Sequence, residues 1–439
     1  MSVAIWVWFL LAFLISKYIL RRKTIHFENY IWLLLPVDMY GINIFGATIK
    51  PYMIFSIILL VKLAWHNKGH IKICYDRSWL LSEGVMVFGV LFINCINNET
   101  LRSANAALLV VVVYVCTLIY ISSIDEFAFY EIPDVIIASS IGYGIVFIGI
   151  FILFNLGIPL PGSVSVNRQV PGIFLNFNNM RNGTLIQMIR LRGFTIDPNT
   201  VIGTFIFGAV ASLIKLLYGK EKRLMWSAFI ICFACVLLSN SRTGFICSIA
   251  IFFAAFFYSC KVLNNKQTKK LMLAGLCVIC MIFFLLAFGG VFEKVKNLFE
   301  IMYANRSGLT DQFGRMTIWR EAFEIWVKEN VFWGIGLGQM QYYTNVNRAC
   351  HNTWLEWLCS SGLIVGGVVV AFFISAILNG LIKSKFYLGK NNDILYQTMK
   401  WGTLGTILSL ITVDNVTYSY LWFGTAMLIV MWKYYKGRD

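Results

Sequence analysis

The chain has 439 residues, 59% of them hydrophobic, with a mean hydropathy of +0.72 and a formal net charge of +16 at pH 7. That apolar fraction excludes an ordinary water-soluble globule. It leaves no soluble basic domain to hold nucleic acid, so the excess charge reads as membrane orientation.

Apolar runs of roughly 17 to 25 residues, each able to cross a ~30 Å hydrocarbon layer as a helix, recur along the chain. In order they cover 3–20, 29–48, 50–66, 79–97, 103–123, 134–157, 199–218, 224–240, 243–260, 271–290, 353–382, 398–413 and 416–435. The predicted fold is all-α: a polytopic membrane bundle of about 12 to 13 spans. The run 29–48 is the weakest, because Pro36, Asp38 and Asn43 interrupt it, and reads as a span or as a re-entrant segment. Five regions follow: N-terminal spans (1–157), a first external loop (158–198), central spans (199–290), a large external loop (291–352) and C-terminal spans (353–439). The first span precedes Arg21 and Arg22 with no small-residue cleavage site, so it is expected to stay as an anchor.

Basic residues in short loops set the orientation. One alternating thread puts the clusters around Lys17–Lys23, Lys62–Arg77, Lys215–Arg223, Lys261–Lys270, Lys383–Lys400 and Lys433–Arg438 inside. Ten of the fourteen basic residues left outside are Arg, against five of the other twenty-three. An ammonium satisfies the orientation rule, whereas the guanidinium fork matches phosphate or carboxylate; outside Arg therefore reads as anion recognition.

The loop 158–198 opens with Pro159, Pro161, Gly162, Pro171 and Gly172 and closes with Arg190-Leu191-Arg192, then Asp197-Pro198-Asn199. Asp-Pro-Asn is a helix-entry signal, and capping accounts for Asp197 and Asn199 but not for two arginines. Within 291–352, residues Arg315–Glu329 have helical periodicity. Ile318, Trp319, Ala322, Phe323, Ile325 and Trp326 form an apolar stripe, and Arg320, Glu321, Glu324 and Lys328 occupy the other side. This predicts an amphipathic helix on the membrane face or over the bundle, with Arg320 paired to Glu324 one turn on. Gly334, Gly336 and Gly338 then allow a tight turn or close backbone approach to a ligand, a phosphate cradle being one reading. His26, His66 and His70 fall inside on this thread, so His351 is the imidazole available to outside chemistry, followed by Asn352 and Glu356. Arg242 lies at a turn between apolar runs, where an ionisable residue is costly and needs a partner. The pairs Cys232/Cys235 and Cys277/Cys280 sit in apolar runs and read as structural, so no disulfide framework is expected.

The order Arg192-Gly-Phe-x-x-Asp197-Pro198-Asn199, Ser241-Arg242-Thr-Gly244, Gly314-Arg315 with Trp319, Gly334-x-Gly336-x-Gly338, then His351-Asn352 with Glu356 and Gly362 resembles the O-antigen polymerase and O-antigen ligase superfamily over roughly residues 190 to 366. The resemblance implies a metal-independent glycosyltransferase of the membrane-embedded C class, without cofactor, in the bacterial inner membrane with its active site on the periplasmic side. Its donor would be an undecaprenyl pyrophosphate-linked oligosaccharide, and its other partners membrane lipids, a chain-length regulator and a flippase. It also implies that His351, Arg242 and Arg315 are catalytic: the two arginines engage the pyrophosphate and the imidazole contacts or activates the acceptor hydroxyl. Arg192 would stand for the family's first-loop arginine, with Gly203 eleven residues on. Substrate contacts are assigned to Arg192, Arg190, Arg320, Asn352, Glu356 and Asp197, with Asp197 or Glu356 as alternatives to His351 for the base. The Asp-Pro-Asn entry, and Cys350 where a ligase carries a second His, favour polymerase over ligase. A lipid-linked oligosaccharide flippase or other transporter is the further alternative, disfavoured because the ionisable residues gather at one face and no paired halves are visible.

Overall fold

The computed structural model describes residues 3–38, 40–44, 47–66, 77–96, 101–158, 160, 169–170, 172–181, 184–195, 197–219, 221–241, 244, 248–249, 251–256, 315–344, 349–382 and 390–436. Its helices are α1 (Val3–Leu20), α2 (Pro51–His66), α3 (Arg77–Ile96), α4 (Leu101–Ser123), α5 (Ile132–Asn155), α6 (Val201–Leu217), α7 (Lys222–Leu238), α8 (Arg315–Glu329), α9 (Met340–Tyr343), α10 (Thr353–Ser361), α11 (Gly367–Ile382), α12 (Lys390–Ser409) and α13 (Ser419–Lys436). Three helical stretches among the described residues are long and apolar enough to cross a membrane: Ser103–Ser123, Ala128–Asn155 and Thr353–Leu381. Shorter apolar helices cover Ile5–Leu20, Pro51–His66, Met86–Cys95, Val201–Leu217 and Ser419–Met431. The run 271–290 and part of 243–260 lie outside the described residues.

Helices α5 and α6 are the buried centre, packed on each other and flanked by α1, α7 and α12. Close approach depends on small residues: a Cβ at Gly142 of α5 would meet Ser16 Oγ at 2.1 Å and the Ala12 carbonyl at 2.6 Å on α1. At one end of the bundle Lys215 Nζ pairs with Asp134 at 2.5 Å and Lys23 Nζ with Glu221 at 3.0 Å. These ion pairs tie the ends of α1 and α6 to the starts of α5 and α7. The opposite end of α6 carries the Asp197-Pro198-Asn199 turn and the arginines before it.

Two expectations are corrected. The run 29–48 is not a helical span. It is a 3-10 turn, Phe27–Leu33, followed by irregular chain and a short antiparallel hairpin, β1 (Ile42–Ile44) with β2 (Ala47–Ile49). Glu28 pairs with Lys62 late in α2 and Asp38 with Lys50 just before it, so residues 28–38 run the length of that helix without forming one. Such backbone is tolerated at depth only where protein surrounds it and satisfies its carbonyls. Here Tyr143 Oη donates to the Leu33 carbonyl at 2.8 Å and Ser419 Oγ to that of Leu35 at 3.3 Å, while Trp32 is fully buried with its Nε1 on Tyr120 Oη at 2.8 Å.

The fold is likewise not all-α in the first loop. Gln169–Val170 (β3), Gly172–Arg181 (β4) and Thr184–Gly193 (β5) form an antiparallel sheet in the order β3-β4-β5. Arg181 faces Thr184 across the turn. The responsible signal is Asn182-Gly183 between alternating strands, the residue pair that a two-residue hairpin turn requires.

Candidate functional site

Strand alternation places Arg190 and Arg192 on one face of β5 and Leu191, fully buried, on the other. Both arginines are themselves buried and held by the protein. Arg190 donates from Nε to the Ser239 carbonyl at the end of α7, 2.9 Å, and from a terminal nitrogen to Asn199 Oδ1, 3.2 Å. Arg192 donates to Tyr40 Oη at 3.2 Å. Asp197 Oδ1 accepts the Asn199 amide at 2.7 Å, and Thr200 Oγ1 donates to the Asp197 carbonyl at 2.6 Å. Asp197 thus closes its own turn instead of capping α6, and Asn199 relays it to Arg190.

Burial pushes the Arg190 guanidinium down to about 10; the Asp197 carboxylate opposes that shift, and the charge of Arg315 adds to it. Arg190 stays cationic at neutral pH. The charge of Arg315, the exposed first residue of α8, is felt at Arg190 although 125 positions separate them in sequence. Two like charges and one carboxylate so arranged leave a net positive locus suited to an anion.

A second network joins this locus to the His351 segment. Asp38 donates its amide to the Phe194 carbonyl at 3.0 Å, and its carboxylate accepts from Lys50 Nζ at 2.6 Å and from Asn415 Nδ2 at 2.9 Å. The Asn415 amide donates to Thr353 Oγ1 at 3.1 Å, and that hydroxyl donates to the Val413 carbonyl at 2.5 Å. Asp38, Lys50, Asn415 and Thr353 are all buried. The bracket therefore holds the turn after Arg192 through the Asp38 amide and the start of α10, two residues after His351, through the Asp38 carboxylate and Asn415.

His351 is half-buried with φ of +50°, a left-handed conformation rare for a residue with a Cβ. Local strain of this kind clusters at functional positions. Asn352 caps α10, its Oδ1 accepting the amides of Trp354 at 3.0 Å and Leu355 at 3.1 Å. Glu356 is buried and engaged: Ser360 Oγ donates at 2.7 Å, the Gly338 amide at 3.2 Å and Cys350 Sγ at 3.3 Å. Burial, followed by the charges of Glu356 and Asp414, raises the Cys350 thiol well above its usual range, so it stays protonated as a donor.

The glycine tract is not a phosphate cradle. Gly334 donates to the Asn330 carbonyl, Ile335 to Cys359, Gly336 to Ser360, Leu337 to Asn94 Oδ1 and Gly338 to Glu356, all within 3.2 Å. Every tract amide is consumed by protein. Positive φ values at Gly334, Gly336 and Gly338 serve a close approach to α10. A Cβ at Gly334 would lie 2.5 Å from the Ser360 carbonyl group.

The structure thus gathers Arg190, Arg192 and Asp197, lets the charge of Arg315 bear on Arg190, and ties Thr353, next after His351-Asn352, to the turn after Arg192 through Asp38 and Asn415. Arg320 is set apart: it is exposed and pairs with Glu324 at 2.8 Å. Arg242 and Gly314 lie outside the described residues, although Ser239 receives Arg190 and Ser241 is buried. Sequence reasoning missed Tyr40 and the Asp38, Lys50 and Asn415 bracket. Polar residues interrupting the run 29–48 were the available signal.

Residues 227–372 match the family model described as O-antigen ligase. The match contains Arg242, Arg315, the glycine tract, His351 and Glu356, and it begins after Arg190 and Arg192. No curated protein matches the chain.

Proposed function

We propose, for a chain whose residues 227–372 match the family model described as O-antigen ligase, that it is a surface-polysaccharide polymerase of the O-antigen polymerase and ligase superfamily. It joins undecaprenyl pyrophosphate-linked repeat units on the outer face of the bacterial inner membrane, within a bundle of about 12 to 13 spans. The observation that supports the reading is the buried Arg190 guanidinium, held on Ser239 and Asn199 beside the Asp197 turn, at the end of the bundle where Asp38 and Asn415 also hold the start of α10 just after His351.

In the reaction an acceptor hydroxyl attacks the anomeric carbon of the donor, the bond from that carbon to the pyrophosphate oxygen breaks, and the lipid pyrophosphate leaves with the electron pair. Negative charge grows on the departing oxygen. Guanidinium groups already in place stabilise it more strongly than flexible ones, each contributing about 2 to 4 kcal/mol by analogy with other fixed donors. Arg190 and Arg315 supply that field with Arg242, and Arg192 braces the strand through Tyr40. His351 takes the hydroxyl proton, the general-base role for which an imidazole is suited. Glu356 is engaged by three donors and serves as an anchor, and Arg320 belongs to the surface of α8.

Ligase activity, transfer of the lipid-linked glycan to lipid A core, is the second reading, favoured by the description of the matched family. The test is the lipopolysaccharide gel profile of a strain lacking the protein, complemented with wild type, Arg190→Ala, Arg315→Ala or His351→Ala at matched membrane levels. Polymerase predicts that the deletion leaves core capped by one repeat unit and that the variants fail to restore the ladder. Loss of the single capped unit, with polymerised glycan retained on the carrier, indicates ligase; an unchanged ladder removes both.

A further inference from the structure

Helix α8 and the chain after it present an apolar surface that the proposed chemistry does not use. Ile318, Ala322 and Trp326 of α8 are buried, the latter two packed with Cys350 and Cys359. Phe323 and Val327, on an adjacent stripe, are 52% and 51% exposed, and Phe332 and Trp333 just beyond the helix are also exposed. Arg320, Glu324 and Lys328 form a third, charged face.

The hydrogen bonds fix where this surface lies along the apolar stretch Thr353–Leu381. After Ser361 the helix widens into a π turn, Gly362–Gly366, and the Leu363 and Ile364 amides donate to the carbonyls of Val331, 2.8 Å, and Phe332, 3.3 Å. Returning, Ile335 and Gly336 donate to Cys359 and Ser360. Residues 331–336 therefore lie beside 359–364. Leu363 and Ile364 are themselves exposed, on a helix apolar enough to face lipid, so the surface of Phe332 and Trp333 continues theirs.

The 29 residues of Thr353–Leu381 rise about 43 Å as a helix, about 13 Å more than the hydrocarbon layer. If the excess is shared between the ends, Leu363, about 15 Å below Thr353, is about 8 Å inside the boundary. An amphipathic interfacial helix buries its apolar face about 5 to 10 Å into the boundary. Depth, apolar stripe and charged flank agree with one environment.

We propose that the face formed by Phe323, Val327, Phe332 and Trp333 is seated in the boundary layer of the bilayer, with phospholipid acyl chains as its occupant. The seat holds Arg315, at the head of α8, at headgroup height, where the diphosphate of a lipid-linked sugar would be. It rests on the reading of this chain as a membrane protein, and it differs from a helix laid wholly on the bundle.

Photo-crosslinking tests it. p-Benzoylphenylalanine is introduced in the full-length protein at the position of Phe332, Trp333, Leu363, Glu324 or Lys328, and each protein is reconstituted in vesicles of phosphatidylethanolamine and phosphatidylglycerol. Intact mass then reports lipid adducts after illumination. Positions 332 and 333 are expected to match the Leu363 reference and to exceed 324 and 328 by at least about five-fold, as a sided interfacial helix requires. Adducts at 363 but not at 332 or 333, or equal yields at 332 and 324, overturn the seat while leaving the membrane reading standing. No adduct at any position, 363 included, overturns the membrane reading and the seat with it. Transferase activity does not enter the readout, so a different enzymatic role would leave the result unchanged.

Discussion

Removing the Asp38 carboxylate should destabilise the protein far more than removing it together with Lys50. Asp38 is 1% exposed and Lys50 5%, and Asp38 accepts from both Lys50 Nζ and Asn415 Nδ2. In Asp38→Ala the ammonium stays buried without its counter-charge, and breaking a buried pair from one side costs about 3 to 5 kcal/mol. In the double variant Asp38→Ala with Lys50→Met no uncompensated charge remains, and the cost falls to the lost Asn415 hydrogen bond plus a small cavity, about 1 to 3 kcal/mol. Thermal unfolding of the detergent-solubilised protein, followed for wild type, both single variants and the double, gives the coupling directly. The expected order of melting temperature is wild type, double variant, then Asp38→Ala. Equal melting of Asp38→Ala and wild type, or a double variant less stable than Asp38→Ala, refutes the carboxylate as the element that holds Asn415 and the start of α10.

The remaining expectations concern the site. Arg190→Lys keeps a cation but forfeits the fork that reaches the Ser239 carbonyl and Asn199 together, so chain elongation should fall by about 100-fold or more; Arg320→Ala should leave it unchanged, and the reverse pattern in a lipid-linked repeat assay removes Arg190 from the site. Asn352→Ala should lower stability by about 1 kcal/mol through loss of the α10 cap, while Asn352→Asp retains it; equal melting of the two variants counts against the capping role. Arg315→Gln relieves Arg190 of a like charge, so it should abolish elongation at unchanged or higher melting temperature. A marked loss of stability in that variant would instead make Arg315 a structural residue.

Local signals carried most of the helices and little of the site. Apolar runs of helical length anticipated α1 to α7 and α10 to α13, because burial and backbone satisfaction in hydrocarbon leave the helix as the economical form. The same count failed at 29–48, where Asp38 interrupts the run because its partners, Lys50 and Asn415, are buried elsewhere, and Asn29 at its start donates from Nδ2 to the Ala128 carbonyl at 2.7 Å. Asn182-Gly183 was readable, but the prolines and glycines of 159–172 drew the segment toward irregular loop. Gly334, Gly336 and Gly338 correctly marked a close backbone approach, yet the partner is α10, and glycine spacing cannot distinguish the two. The contacts that assemble the site join residues 49, 152 and 377 positions apart, from Arg190 to Ser239, Tyr40 to Arg192 and Asp38 to Asn415. No local periodicity encodes such pairs.

The placement of Arg190 on a strand, not on a loose loop, bears on how the site would work. Two of the five guanidinium N–H groups are committed to Ser239 and Asn199, which fixes the plane of the group before any ligand arrives. Fixed donors need little reorganisation as charge develops, the condition under which electrostatic stabilisation is largest. The cost is visible in the same residue, since burial and Arg315 together hold it down at about 10. Asp197 offsets part of that cost without cancelling the charge, because its own oxygen is shared with the Asn199 amide. An arriving diphosphate would lower the energy of Arg190 and Arg315 at once. The bonds to Ser239 and Asn199 hold the Arg190 guanidinium in place, so its charge and that of Arg315 would become attraction for a dianion with little rearrangement.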